Sequence, residues 1–221
     1  MNEVVGELLP LALGVAISPV PIIAVILMLL APRARAASVA FLAGWVVGIT
    51  VVVGLVALLV DPATGDEDAP TWVAVVKLVL GVVVLLLAVQ QWRGRPRAGQ
   101  NVELPGWMAA IDKVTPVRAG GLGALLSGLN PKNLALGVAA GVAIGGGGLS
   151  GGQAVGAAAV FVVLAASSVA VPVLGYLVAA DRLRGPLDEL RTWLTAHNAA
   201  VMTVLLLVIG VAMVGKGLAG L

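Results

Sequence analysis

Ser127-Gly128-Leu129-Asn130-Pro131-Lys132-Asn133 puts a helix-breaking proline, two amides and a full positive charge inside an otherwise apolar segment. Its nearest counterpart is Ser18-Pro19-Val20-Pro21, inside the first hydrophobic run. Each reads as a place where a membrane helix is interrupted.

That reading rests on the chain being solvated by lipid. Of its 221 residues, 60% are hydrophobic and 11% charged, with a mean hydropathy of +1.10. A soluble domain carries about a quarter of its residues charged. So apolar a chain has too little polar surface to cover itself in water, which identifies an integral membrane protein. Cysteine is absent, which excludes disulfides, thiol relays and thiolate metal sites. The single histidine, His197, reads as an interfacial or capping residue rather than a ligand. The leader carries Glu3 and Glu7 and no basic residue before an apolar run to Ala31. It lacks the basic region of a cleavable signal and is expected to remain as a span.

Apolar runs bounded by charge predict six spans, at about 5–31, 38–60, 71–92, 119–145, 152–180 and 194–219, each near the ~20 residues a spanning helix needs. Long uninterrupted runs do not fit the alternation of a membrane barrel. The first, third and fifth loops are basic, carrying Arg33 and Arg35, then Arg93, Arg95, Arg97, Lys113 and Arg118, then Arg182, Arg184 and Arg191. The second holds Asp61, Asp66, Glu67 and Asp68, and the fourth is uncharged and rich in glycine from Gly145 to Gly152. Basic loops mark the cytoplasmic side, so both termini are predicted outside the cell membrane.

The long third loop divides the chain into a three-helix repeat over 1–92, a cytoplasmic linker over 93–118 and a second three-helix repeat over 119–221. Within the linker, Pro105 to Thr115 predicts a short interfacial helix. Trp107, Met108, Ile111 and Val114 share one face, opposite Asp112 and Lys113. Two halves of three spans have opposite orientation, the plan of inverted-repeat transporters. Phe41 and Phe161 near the start of each second span, and Asp61 and Asp181 at its end, agree with such a repeat. The predicted fold is an all-α membrane protein: six transmembrane helices as a 3+3 inverted repeat, with helices 1 and 4 broken.

Proline lacks an N–H and clashes with the preceding turn, and the backbone groups it frees survive in a membrane only inside protein or beside a water-filled cavity. Ser18 and Asn130 suit the N-cap, and Pro19 and Pro131 the next position. Each motif can start a fresh half-helix, and the topology brings the two helix N-termini together. Such N-termini attract anions, and Lys132 adds a full charge there. In the alternative reading, residues 131–149 span by themselves and Lys132 snorkels at the inner interface. Lys77, the other embedded charge, is a secondary candidate that snorkels or meets the acidic second loop. No Asp or Glu lies deep in a span, which disfavours a carboxylate-lined cation path. Gly44-x-x-x-Gly48 and Gly137-x-x-x-Gly141 read as packing faces.

The segments AISPVPIIAVILMLLAPRARAASVAFLAGWVVG (16–48) and PGWMAAIDKVTPVRAGGLGALLSGLNPKNLALGVAAG (105–141) resemble the GAP family. These are the peptidoglycolipid-addressing or sulfolipid-1-addressing proteins of the lysine-exporter (LysE) superfamily. The resemblance implies six spans in a 3+3 arrangement and a role in moving envelope lipids or small molecules outward. Its polar-proline motifs fall on Ser18, Pro19 and Pro21 and on Asn130, Pro131, Lys132 and Asn133. Superfamily branches that relay electrons use intramembrane cysteines, which this chain lacks. Together these features predict a transporter or export facilitator for an anionic or zwitterionic substrate, such as an envelope lipid or its head group. The alternative is a non-transporting accessory of a larger lipid-export machine. Neither an enzyme nor a cofactor nor a metal is expected. The expected partners are membrane lipids and the substrate, with a homo-oligomer or an export complex both open, and no nucleic acid.

Overall fold

A computed structural model describes residues 1–31, 34–60, 71–95, 111 and 114–221. Arg33, Arg97, the acidic second loop, and Trp107, Met108, Asp112 and Lys113 of the expected interfacial helix lie outside these residues. Every described element is an α-helix: α1 (Asn2–Ala16), α2 (Pro19–Leu30), α3 (Ala34–Leu59), α4 (Thr71–Arg93), α5 (Pro116–Gly128), α6 (Pro131–Gly145) and α7 (Gly151–Ala219). Three of them, α3, α4 and α7, are long and apolar enough to cross a membrane. The pair α1 and α2, bent by 53°, makes a fourth if counted as one span. The chain is an all-helical membrane protein.

Both interruptions are present. The first span breaks between Ala16 and Pro19, and α5 gives way to α6 between Gly128 and Pro131. At about 1.5 Å per residue, α5 and α6 are each about 20 Å long, so the second break falls midway along their path. Thr115 is the N-cap of α5, its hydroxyl accepting from Arg118 N–H, with Pro116 at the first helical position. It therefore opens a helix where the sequence placed it at the end of one. Proline at that position loses no helical bond, and the threonine satisfies a free donor.

The seam that carries the second break is built on glycine. Helix α3 runs parallel to α5 and then α6, with Gly44 against Gly120, Gly48 against Ala124, and Gly141 against Val56. A Cβ on Gly141 would lie 2.6 Å from Val56 Cβ. The two small-residue spacings are thus contact faces, where lost side chains let backbones approach. Phe41 and Trp45, stacked at 6.2 Å between ring centroids, are fully buried beside this seam, as is Phe161 of α7.

The fifth loop is not a loop. Residues 181–193 are helical within α7, and only Ala179 departs from helical geometry (φ −140°, ψ 50°). Leu183, Leu187 and Leu194 line the apolar side of this stretch, and Arg191 pairs with Asp188 at 2.7 Å. An amphipathic stripe with a charged outer face reads as a loop when charge alone is followed. The chain doubles back at Ala179: a Cβ on Gly175 would lie 3.0 Å from Leu183 Cδ1, although the two residues would be about 12 Å apart along the axis of a straight helix. The returning arm packs antiparallel on α4, with Gly217 against Leu78, Val214 against Gly81 and Gly210 against Leu85.

One end of the bundle gathers Val4 of α1, Val60 after α3, Val73 of α4 and Gly145 to Gly147 at the end of α6. On α4, the half-exposed Trp72 and Trp92 stand about 30 Å apart by helical rise, the thickness of the hydrocarbon layer. Tryptophans at both ends of a span are the pattern of an interfacial belt. Arg95 stacks over the Trp92 ring at 3.7 Å.

Candidate functional site

The break in the first span begins as an accounting problem in hydrogen bonds. A continuous helix would send Ser18 N–H to Gly14 O. Here Ser18 N–H bonds Ala16 O at 2.8 Å, and Pro19 has no N–H to offer. The last carbonyls of α1 therefore need partners from elsewhere. Lys132 supplies one: its Nζ donates to Gly14 O at 2.6 Å. Glycine at position 14 lets Leu136, on the same face of α6, close over the break: a Cβ there would lie 2.8 Å from Leu136 Cδ1, which would have to turn aside.

The second break is repaired by the same turn of helix. Leu129 N–H still reaches Leu125 O, but the chain leaves helical geometry at Asn130, and Leu126 O takes its hydrogen bond from Asn133 Nδ2 at 2.9 Å. Asn130 Oδ1 accepts from Lys132 N–H at 3.1 Å, capping α6. Three polar side chains in one turn thus cap one helix and serve an open carbonyl at each interruption. Ser18 occupies the N-cap of α2 without a side-chain capping bond.

These residues converge on one cleft of about 180 Å³, lined by Ser18 and Pro19 from one break and by Asn130, Pro131 and Lys132 from the other. The N-termini of α2 and α6 meet there, as the two motifs predict. Pro21 and Asn133 do not line it: Pro21 is buried within α2, and Asn133 is turned to Leu126. The Lys132 side chain is buried, 5% exposed, with its amine directed to Gly14 rather than snorkelling outward. An ammonium has three N–H donors, so the bond to Gly14 leaves capacity for a ligand.

The cleft has a second wall that the motifs did not announce. Gln90 and Gln91 come from the last turns of α4, and Asn198, Met202 and Leu206 from α7. Asn198 Oδ1 is buried there with no protein donor. Paired amides at the end of an apolar helix were the available signal, but such residues look the same at any interface. His197, next to Asn198, donates from Nδ1 to Trp193 O at 2.8 Å in the tautomer with Nδ1 protonated and stacks on that ring at 4.8 Å. Lys77 is far from the cleft. It pairs with Glu7 of α1 at 3.0 Å; the acidic second loop lies outside the described residues.

Asn133→Leu keeps the branched shape of the side chain, with bulkier ends, but removes the donor to Leu126 O. It is expected to cost about 1–3 kcal/mol, the penalty of an unpaired buried carbonyl, read as a lower thermal midpoint of the purified protein in detergent.

Neither a curated protein nor a solved structure matches this chain. The family model for Sap, sulfolipid-1-addressing protein, matches residues 8–219, which takes in both interruptions, the amides of α4 and nearly all of α7. The chain belongs to the sulfolipid-1-addressing protein family.

Proposed function

We propose that this protein is a non-enzymatic export facilitator that takes the polar head group of an anionic or zwitterionic envelope lipid into the cleft between its two helix breaks. The observation that carries the reading is the convergence of Ser18-Pro19 and Asn130-Pro131-Lys132, more than a hundred residues apart, on one polar cleft. Two helix N-termini and a buried ammonium favour negative charge. Amides from Gln90, Gln91 and Asn198 add neutral donors and acceptors. Sites for drug-sized ligands occupy about 300–1,000 Å³; a cleft near 180 Å³ suits a head group whose acyl chains stay in the bilayer. The family's name directs attention to a sulfolipid.

The proposal includes six crossings in the 3+3 inverted arrangement implied by the likeness to the lysine-exporter superfamily, with both termini outside the cell membrane. The crossings would be α1 with α2, α3, α4, α5 with α6, and the two arms of α7 on either side of Ala179. The shared end that gathers Val4, Val60, Val73 and Gly147 supports it, because alternating crossings bring those positions to one side. Transport would proceed by rocking of one repeat against the other.

The test is movement of a fluorescent sulfolipid between leaflets of liposomes holding the purified protein, with labelled phosphatidylcholine as the comparison. The wild-type protein is expected to accelerate the sulfolipid, and Asn198→Leu to slow it about tenfold, the loss of one buried hydrogen bond worth about 1.4 kcal/mol. No acceleration of either lipid, with recovery of a pump in pull-downs, would favour the accessory role instead.

A further inference from the structure

A second cavity is lined from α1, α4, α6 and α7, the last three of which also line the cleft. It is small, about 30 Å³, and is lined by Leu11 of α1, Ala139 of α6 and Met213 of α7, with Glu7, Lys77 and Lys216 at its rim. The order of levels repeats on each helix. From rim to cleft, α1 presents Glu7, Leu11 and Gly14, and the break after it Ser18; α6 presents Ala139, Leu136 and then Lys132; α7 presents Lys216, Met213, Ile209 and then Leu206. Cavity and cleft are therefore successive chambers on one line. A single layer separates them, where Gly14 packs against Leu136 and Ile209.

The rim is held by charge. Glu7 Oε1 is 3.0 Å from Lys77 Nζ and 3.8 Å from Lys216 Nζ, and Glu7 Oε2 accepts from Lys77 at 3.3 Å. One carboxylate thus ties α1 to α4 and to the final turns of α7. Glu7 and Lys77 are four-fifths buried, so their attraction is less screened than that of an open surface pair. One turn further along α1, Pro10 lies inside the helix and removes a helical hydrogen bond beside the turn carrying Glu7.

We propose that Glu7, Lys77 and Lys216 form the latch of a gate at the end of the path opposite the cleft. The latch is engaged in this structure, where the chamber above the Gly14 layer is only about 30 Å³, and its release widens that chamber. The proposal rests on the transport reading for its purpose, while its test needs no lipid substrate.

The absence of native cysteine makes that test direct. Ala139→Cys places one thiol in the small chamber, and its modification by neutral hydroxyethyl methanethiosulfonate is timed in nanodiscs, where both faces are accessible. Adding Glu7→Gln is expected to raise the rate about tenfold by shifting the closed–open balance, and Lys77→Gln should do the same by removing the partner. Gln90→Cys, exposed on the wall of the cleft, should react quickly whether or not Glu7 is intact. An unchanged rate at Ala139→Cys in either background overturns the latch. So does an equal rise at Ala165→Cys, a fully buried α7 position, because that would mark general loosening. A gate that opens in a protein that moves no lipid would leave the latch standing and remove the transport reading. A protein that moves lipid while Glu7→Gln leaves the rate unchanged would do the reverse.

Discussion

Lys132→Met is expected to fold and to lose lipid movement. Methionine keeps the length of the apolar stem, so packing against Leu136 and the α1 backbone is retained. Gly14 O loses its donor, at a cost of about 1–3 kcal/mol. That loss is offset in part because an ammonium no longer has to be held out of water. The thermal midpoint should fall by only a few degrees for a chain of this length, on the order of 2–4 °C per kcal/mol. Sulfolipid movement in liposomes should fall at least about tenfold, since a charge-assisted bond to an anion contributes more than a neutral one. Equal flux in the variant and the wild type would make Lys132 a bracket for the break and nothing more.

Gly123→Leu is expected to prevent the fold from closing. Position 123 sits against the α3 backbone at Phe41, and even a Cβ would come within 2.9 Å of Trp45 N. Backbone cannot turn aside as a flexible side chain can, so α3 and α5 would have to separate and expose Phe41 and Trp45. Overpacking of a close core typically costs about 1–3 kcal/mol, and a clash with backbone on both sides lies at or above the top of that range. The expected observation is little or no folded protein extracted from membranes. Gly121→Ala supplies the contrast: nothing lies within 4 Å of a Cβ there, and the exchange should stabilise α5 by up to about 1 kcal/mol.

The same contrast shows which parts of the molecule can be read from sequence. Helix breaks at Ser18-Pro19 and Asn130-Pro131 are legible because proline's missing N–H is a local fact. The contact faces at Gly44-x-x-x-Gly48 and Gly137-x-x-x-Gly141 are legible as faces, though not as a single seam joining α3 to α5 and α6. What Lys132 touches is not legible, because Gly14 lies 118 residues away and no spacing rule connects them. Gln90, Gln91 and Asn198 escaped notice for a related reason: a polar residue at a span's end reports its depth, not its neighbours. Residues 181–193 resemble a loop by charge alone; the stripe of Leu183, Leu187 and Leu194 is what marks them as helix. Lys77 was recognised as an embedded charge, but its carboxylate lies on another helix.

The bond between Lys132 and Gly14 also has a consequence for biosynthesis. At about 5–20 residues per second, the ribosome needs roughly 6–24 s to add the 118 residues between the two. Through that interval the first hydrophobic run has been made while the carbonyl at its break still lacks the partner of the finished fold. The first span is therefore made well before its own break can be closed.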